Sequence, residues 1–236
     1  MAYVGGKSKG SEHIIDILND KKYDNMKYLE PFVGYGHILR RVDKKKSYTA
    51  CDINPLVISL LKGIQDKTKR YPNISKNEYY TLKNKTNHSF KRAIAAFAYS
   101  YNGKEWGGYT ENSKCGTRES YPQERKNYYD KLRQNDTFMK TKISLCDYRT
   151  LRPRNYLIYC DPPYINTTGY GDIKFNHKEF WDTIRKWSKN NIVFVSEYKA
   201  PSDFKCVAKK GKHQSLGGKG ADKIVYEKLF TIKPKK

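Results

Sequence analysis

The stretch MKYLEPFVGYGHILRRVDKKKSYTACD, Met26 to Asp52, carries the reading of the fold. Its first part, Met26 to Val33, is an apolar run with the length of a buried strand. It ends in Gly34-Tyr35-Gly36, where glycines allow a tight turn and a close approach of backbone to ligand. A short helix is expected around Ile38 to Val42. Ser47 to Cys51 reads as a second strand, with Asp52 at its end. Strand, turn, helix and strand form the unit of a parallel α/β sheet, and Leu56 to Gln65 reads as a further helix.

Upstream, Ser11 precedes Ile14, Ile15 and Leu18, the spacing of a short amphipathic helix. Downstream, strand patterns resume at Ile143 to Cys146 and Tyr156 to Cys160. A helix is expected from about His177 to Lys189 and a strand at Ile192 to Ser196. The tail from Phe204 to Phe230 reads as antiparallel strands around a turn at Gly217, Gly218 and Gly220. Between these sets, residues 67–141 are polar and rich in Lys, Asn and Tyr. They hold one strongly apolar helix, around Ala93 to Tyr101, and a long loop from Asn102 to Gln123. A loop of that length inside a compact domain is usually functional or mobile. The expected fold is a doubly wound α/β sheet with antiparallel C-terminal strands. Residues 1–66 and 142–236 form its main domain, and 67–141 a small, mostly helical inserted lobe.

Composition narrows the partners. In 236 residues, 47 Lys and Arg face 24 Asp and Glu, a net charge of +23. Part of that is a Lys/Asn bias that fits an AT-rich genome, such as a viral one. The excess still predicts attraction to polyanions, nucleic acid before an anionic membrane. The 21 tyrosines suit both packing and stacking on bases. Cys51, Cys115, Cys146, Cys160 and Cys206 are odd in number, widely spaced and without a C-x-x-C pair. They indicate neither a disulfide framework nor a zinc site, so a reduced cell interior is expected, bacterial or in an infected host. No segment has the length and apolarity of a signal or a membrane span. His13, His37, His88, His177 and His213 lack ligand spacing, and no metal is expected.

Four motifs carry chemistry. Asp161-Pro162-Pro163-Tyr164 follows the apolar run Tyr156 to Cys160, at the C-terminal strand edge where open α/β sheets bind ligands. Two prolines also stop a strand without further purpose. The chemistry favours more. An exocyclic ring amine is a poor nucleophile because its lone pair is delocalised. A carboxylate and a backbone carbonyl accepting its two N–H bonds draw it toward tetrahedral geometry. Asp161 supplies the one, Pro162 the other, with Pro163 restricting its conformation, and Tyr164 offers a face for the base.

Glu30-Pro31-Phe32-Val33-Gly34-Tyr35-Gly36 is a glycine turn that lacks the third glycine of a dinucleotide fingerprint; alone it is as much a structural turn as a site. Asp52-Ile53-Asn54-Pro55 puts an acid at the end of the second strand. There it would more often cap a helix, but after the glycine turn it fits a ribose ligand. Gly5-Gly6-Lys7-Ser8 is no P-loop, because the first glycine and the preceding strand are missing.

The order Tyr3-Val4-Gly5-Gly6-Lys7, Glu30 to Gly36, Cys51 to Pro55 and Asp161 to Tyr164 resembles the Dam family, the D12 class of adenine-specific DNA methyltransferases. Tyr101-Asn102-Gly103, Asp147-Tyr148 and Ser196-Glu197-Tyr198 add to it. The resemblance covers nearly the whole chain and is weakest over 67–141. It implies a Rossmann-like methyltransferase sheet, S-adenosylmethionine as cofactor, and a base flipped out of duplex DNA.

By that resemblance, Tyr3, Lys7, Glu30, Phe32, Gly34, Gly36, Asp52, Asn54, Asp147 and Asp161 line the cofactor pocket. Asp161, Pro162 and Tyr164 are catalytic, and Tyr101, Asn102, Trp106, Tyr109 and Arg118 contact DNA. A monomer or weak dimer, double-stranded DNA as partner and a place in restriction–modification follow from it. The family's arginine after Tyr-Asn-Gly is replaced by Lys104-Glu105-Trp106-Gly107-Gly108, so a GATC recognition sequence does not carry over. The rival readings are N4-cytosine methylation, which more often has Ser in place of Asp161, RNA adenine methylation, protein glutamine methylation, which pairs with Asn there, and a non-catalytic DNA-binding protein that kept the fold.

Overall fold

The structure is a computed structural model that describes residues 7, 10–110, 121–164, 175–214 and 223–234. The strands β1 (Lys27–Glu30), β2 (Ser47–Asp52), β3 (Lys142–Leu145), β4 (Tyr156–Cys160), β5 (Ile192–Glu197), β6 (Phe204–Gln214) and β7 (Lys223–Ile232) make one seven-stranded sheet. Its order is β3-β2-β1-β4-β5-β7-β6. β1 runs parallel to β4 and β4 to β5, whereas β7 lies antiparallel between β5 and β6. This is the expected α/β sheet with an antiparallel tail. The glycine turn at 217–220 lies outside the described residues.

The chain divides into two compact units. The first holds Val33–Arg41 and Ala50–Cys146. Its helices are α2 (Pro55–Gln65), α3 (Lys76–Lys83), α4 (Phe90–Ala98), α5 (Tyr121–Arg133) and α6 (Asp136–Lys140), so the middle of the chain is helical, as expected. Each start that carries a cap follows one rule. Asn54, Ser75, Ser89 and Asn135 place a side-chain oxygen on the otherwise unbonded N–H groups of the first turn. The run Ala93 to Ala98 is fully buried. Helix α2 packs on α4 through Gly63, where a Cβ would stand 2.0 Å from the Phe90 ring. From α5, Arg133 reaches back to the carbonyls of Ile64 (3.0 Å) and Lys69 (2.6 Å).

The second unit comprises Lys9–Phe32, Val42–Thr49 and Asp147–Lys236. Its core joins Leu29, Ile158, Cys160, Val193 and Val195 from β1, β4 and β5 to Phe180, Trp181, Ile184 and Trp187 of α7 (His177–Trp187). That spacing on α7 is one helical stripe, so the period in the sequence names its buried face. Helix α1 (Glu12–Leu18) buries Ile14, Ile15 and Leu18, as expected.

Two expectations are corrected. The helix expected over Ile38 to Val42 is a single 3-10 turn, Leu39–Arg41. Few residues separate Gly36 from β2, and a helix rises only about 1.5 Å per residue. The chain is already returning at Lys44, whose φ is +53°. Cys51 and Cys146, read as unpaired, are joined in a disulfide across 95 residues. Cys51 is the penultimate residue of β2 and Cys146 directly follows the neighbouring β3, a proximity that linear spacing does not display. Cys160 is a buried free thiol and Cys206 an exposed one. Among the described residues no group of three or more His, Cys, Asp or Glu is placed to hold a metal, and no helix is long and apolar enough to cross a membrane.

Candidate active site

In the first unit the site is built on the turn after β1 and the end of β2. Gly34 and Gly36 have φ of +47° and +70°, the left-handed region that side chains with a Cβ enter at a cost. At Gly36 a Cβ would meet only ordinary contacts, so the conformation rather than space demands glycine. The turn is tied to β2 by Val33 N–H to the Cys51 carbonyl (3.1 Å) and by Gly34 N–H to Asp52 Oδ2 (3.0 Å). Asp52 Oδ1 accepts the Asn54 N–H at 3.0 Å. Burial raises the Asp52 carboxyl above its ordinary 3.8, against the pull of backbone N–H groups at Asn54, Gly34 and Ile53.

Asn54, expected in the cofactor pocket, caps α2: its Oδ1 accepts from Leu56 N–H (2.9 Å), and its Nδ2 donates to Glu105 Oε2 (2.6 Å). Thus Asn54, rather than Asp52, is the helix cap of this segment. Lys7 is buried. His37, set aside in the sequence, is buried beside the glycine turn, and neither ring nitrogen has a hydrogen-bond partner. Burial, reinforced by Arg40 and Lys7, pushes its pKa down to about 3. A neutral imidazole there has one donor and one acceptor to offer. Tyr3 lies outside the described residues.

The residues expected on DNA belong to the same unit. Tyr101 is 56% exposed, and Asn102 beside it is exposed with φ +51°. The Trp106 ring lies against Tyr79 (5.3 Å) and under the Arg92 guanidinium (5.2 Å). Tyr109 stacks on Tyr99 and donates to the Ile74 carbonyl at 3.0 Å. The structure therefore presents Tyr101 and Asn102 outward and engages Trp106 and Tyr109 within the first unit. Arg118 lies outside the described residues.

In the second unit, Asp161, Pro162, Pro163 and Tyr164 follow directly on β4. The Tyr164 hydroxyl has two acceptors for its one hydrogen, Glu227 Oε1 on β7 at 2.9 Å and Asp161 Oδ1 at 3.0 Å. The Tyr198 ring meets that of Tyr164 edge-on at 4.8 Å. Beneath them Tyr159 bonds Ser196 at 2.8 Å. Burial, then the charges of Asp161 and Glu227, raise the Tyr164 phenol well above its ordinary value, so it keeps its proton.

Glu30 ends β1, buried, and takes the Tyr28 hydroxyl at 2.8 Å. Phe32 packs on Tyr148 and Phe180 at 5.2 and 5.8 Å. Asp147 is gripped by Arg149, whose Nε lies 2.9 Å from Oδ2, and that hydrogen bonding holds its carboxyl below the ordinary value. Sequence reasoning missed Glu227 and Glu105. Glu227 sits in a Lys-rich tail without a motif, and Glu105, although next to Tyr101-Asn102-Gly103, has no spacing that points to Asn54.

The sheet, Rossmann-like with its last strand pair antiparallel, is that of the methyltransferase fold. More narrowly, the chain belongs to the D12 class N6 adenine-specific DNA methyltransferase family, whose sequence model matches residues 3–206. No curated protein gives a significant match. Among solved structures, a Thermoplasma acidophilum protein superposes with TM-score 0.45 at 10% identity, over 94% of this chain and 86% of that one. The rRNA methyltransferase AviRa of Streptomyces viridochromogenes gives 0.43 at 10%, over 98% and 88%. An rRNA methylase of Streptococcus thermophilus gives 0.39 at 8%, over 97% and 100%.

Proposed function

We propose that this protein transfers a methyl group from S-adenosylmethionine to N6 of adenine in double-stranded DNA, after the base leaves the helix stack. The observation that carries the reading is Asp161 at the C-terminal end of β4, followed by two prolines and covered by Tyr164.

The donor set fits the cofactor. Asp52 has about four acceptor positions for the N–H groups of Gly34, Asn54 and Ile53, which leaves an oxygen lone pair for a ribose hydroxyl. His37 adds an unsatisfied donor and acceptor beside the glycine turn. Tyr3, Lys7, Glu30, Phe32, Gly34, Gly36, Asp147 and Asn54 complete the proposed pocket, with Asn54 acting as the cap that holds the end of β2. S-adenosylmethionine, when bound, supplies a methyl group on a positively charged sulfur. Asp161 and the Pro162 carbonyl each accept one N–H of the target amine, which localises the lone pair on nitrogen. Tyr164 supports the flipped base by its ring face, a contact of about 1–3 kcal/mol.

Residues 67–141 serve as the target-recognition lobe in this reading, with 1–66 and 142–236 as the catalytic domain. Tyr101 and Asn102 are its leading contacts, and Trp106, Tyr109 and Arg118 are its further candidates. The charge of +23 supports a polyanionic substrate.

The test supplies methyl-labelled S-adenosylmethionine with duplex DNA and with RNA, followed by digestion to nucleosides and chromatography. Label in N6-methyldeoxyadenosine from DNA is the expected result. Label in N4-methyldeoxycytidine, label only in RNA, or no transfer despite DNA binding would each replace this reading with one of its rivals. Replacing Asn102 to Tyr109 by a Gly/Ser linker should impair DNA methylation and spare cofactor binding; unchanged sites and rate would move recognition elsewhere.

A further inference from the structure

We infer that Glu227 is a positioning residue for Tyr164: it alone holds the Tyr164 hydroxyl when Asp161 turns to the substrate amine. The inference rests on the roles proposed above for Asp161 and Tyr164. It comes from hydrogen-bond counting. A phenol carries one hydrogen and donates to one oxygen at a time. Two carboxyl oxygens stand within reach of it, Asp161 Oδ1 at 3.0 Å and Glu227 Oε1 at 2.9 Å. Rotation about the phenol C–O bond moves the hydrogen from one to the other while the ring stays in place.

Without substrate, the single Tyr164 hydrogen is shared between Asp161 and Glu227, and whenever it points to Asp161 it occupies an acceptor that a target amine also needs. With Glu227 absent, the amine and the phenol would compete for Asp161, and the ring would be held less firmly in its stacking position. With Glu227 present, Asp161 is released at little cost. The neighbourhood is arranged to keep the anchor still. Glu227 is 1% exposed on β7, and the Tyr198 ring braces Tyr164 edge-on at 4.8 Å. The phenol keeps its proton because burial and the two carboxyls oppose its loss. The placement is a product of the sheet: β7 inserts beside β5, which itself pairs with β4, so a tail residue arrives over the catalytic strand end.

The experiment is a double-mutant cycle on the full chain, using Glu227→Gln, Glu227→Leu, Tyr164→Phe and the combined variants. Rates come from single-turnover methylation of duplex DNA, and cofactor affinity is measured alongside. Gln retains an accepting oxygen, so Glu227→Gln should keep the rate within about threefold of the unmodified protein. Glu227→Leu should lower it by about ten- to a hundredfold, with cofactor affinity unchanged. In the Tyr164→Phe background, which has no hydroxyl to hold, Glu227→Leu should change the rate by no more than about twofold. Fluorotyrosine placed at 164 gives a second readout without substrate, because its 19F resonance should shift on Glu227→Leu even if that variant is poorly active.

Equal losses in both backgrounds would make Glu227 merely structural and overturn the inference, as would an unshifted 19F resonance. Should Glu227→Leu fail to fold, a Glu227→Gln rate reduced as much with the phenol as without it would overturn it too. The underlying reading fails separately: Asp161→Ala with full activity would remove the catalytic assignment whatever the Glu227 cycle shows.

Discussion

Asp52→Asn separates the two jobs that the structure and the proposed function give to one carboxylate. In the protein each oxygen accepts a backbone N–H at 3.0 Å, from Gly34 and from Asn54. The amide side chain of the variant keeps one oxygen and presents an NH2 group to the other N–H. One buried donor then loses its acceptor, a cost of about 1–3 kcal/mol in folding stability. A ribose hydroxyl bond to a charged acceptor is worth roughly 1.5–3 kcal/mol. The loss of one weakens cofactor binding about ten- to a hundredfold.

Calorimetric titration with S-adenosylmethionine reads the second quantity, and denaturant unfolding without cofactor reads the first. Filter binding of duplex DNA should be nearly unchanged. The pH dependence adds a sign. Burial raises the Asp52 carboxyl above 3.8 in the folded protein. On acidification it therefore protonates earlier than a free aspartate, and cofactor affinity falls as pH drops through that raised value. Folding stability moves the other way: ionised Asp52 is disfavoured by burial, so stability falls as pH rises from 3.8 through the folded value. An amide cannot titrate, and both dependences should vanish in Asp52→Asn. Reduced stability with unchanged cofactor affinity and the same pH profile for binding would refute the ribose assignment. Asp52 would then be only the tie between β2 and the glycine turn.

Asp161→Ala should cut methyl transfer about a hundredfold or more with the melting temperature preserved, because it removes a preorganised acceptor that lies beyond a strand end; near-normal turnover would contradict the catalytic assignment. Gly63→Ala should destabilise the first unit by about 1–3 kcal/mol or more, since its Cβ would meet the Phe90 ring at 2.0 Å; unchanged unfolding would mean that α2 and α4 separate freely. Reduction of Cys51–Cys146, which closes a span of 95 residues, should lower the unfolding free energy by up to about 4–5 kcal/mol, and Cys51→Ser should show no further response to reductant.

The sequence by itself determined most of the elements and displays the motif proposed to be catalytic. Periodicity at Phe180, Trp181, Ile184 and Trp187 names the buried face of α7, and alternate runs name the strands, because local spacing sets which side of an element meets the core. Asp161 and Asp52 are legible because each follows a strand pattern directly, and strand ends are where α/β sheets bind ligands.

What lies far apart in the chain was decided only by tertiary structure. The Cys51–Cys146 bond depends on β2 and β3 being neighbours. Glu105 reaches Asn54 only because its loop folds back onto the start of α2. His37 is orphaned only because the turn and its surroundings bury it. Glu227 reaches Tyr164 because the last strand inserts antiparallel beside β5. Residue type and local spacing carry no record of such distances. They arise when hydrophobic burial and strand pairing bring remote segments together, and those forces act on the whole chain at once.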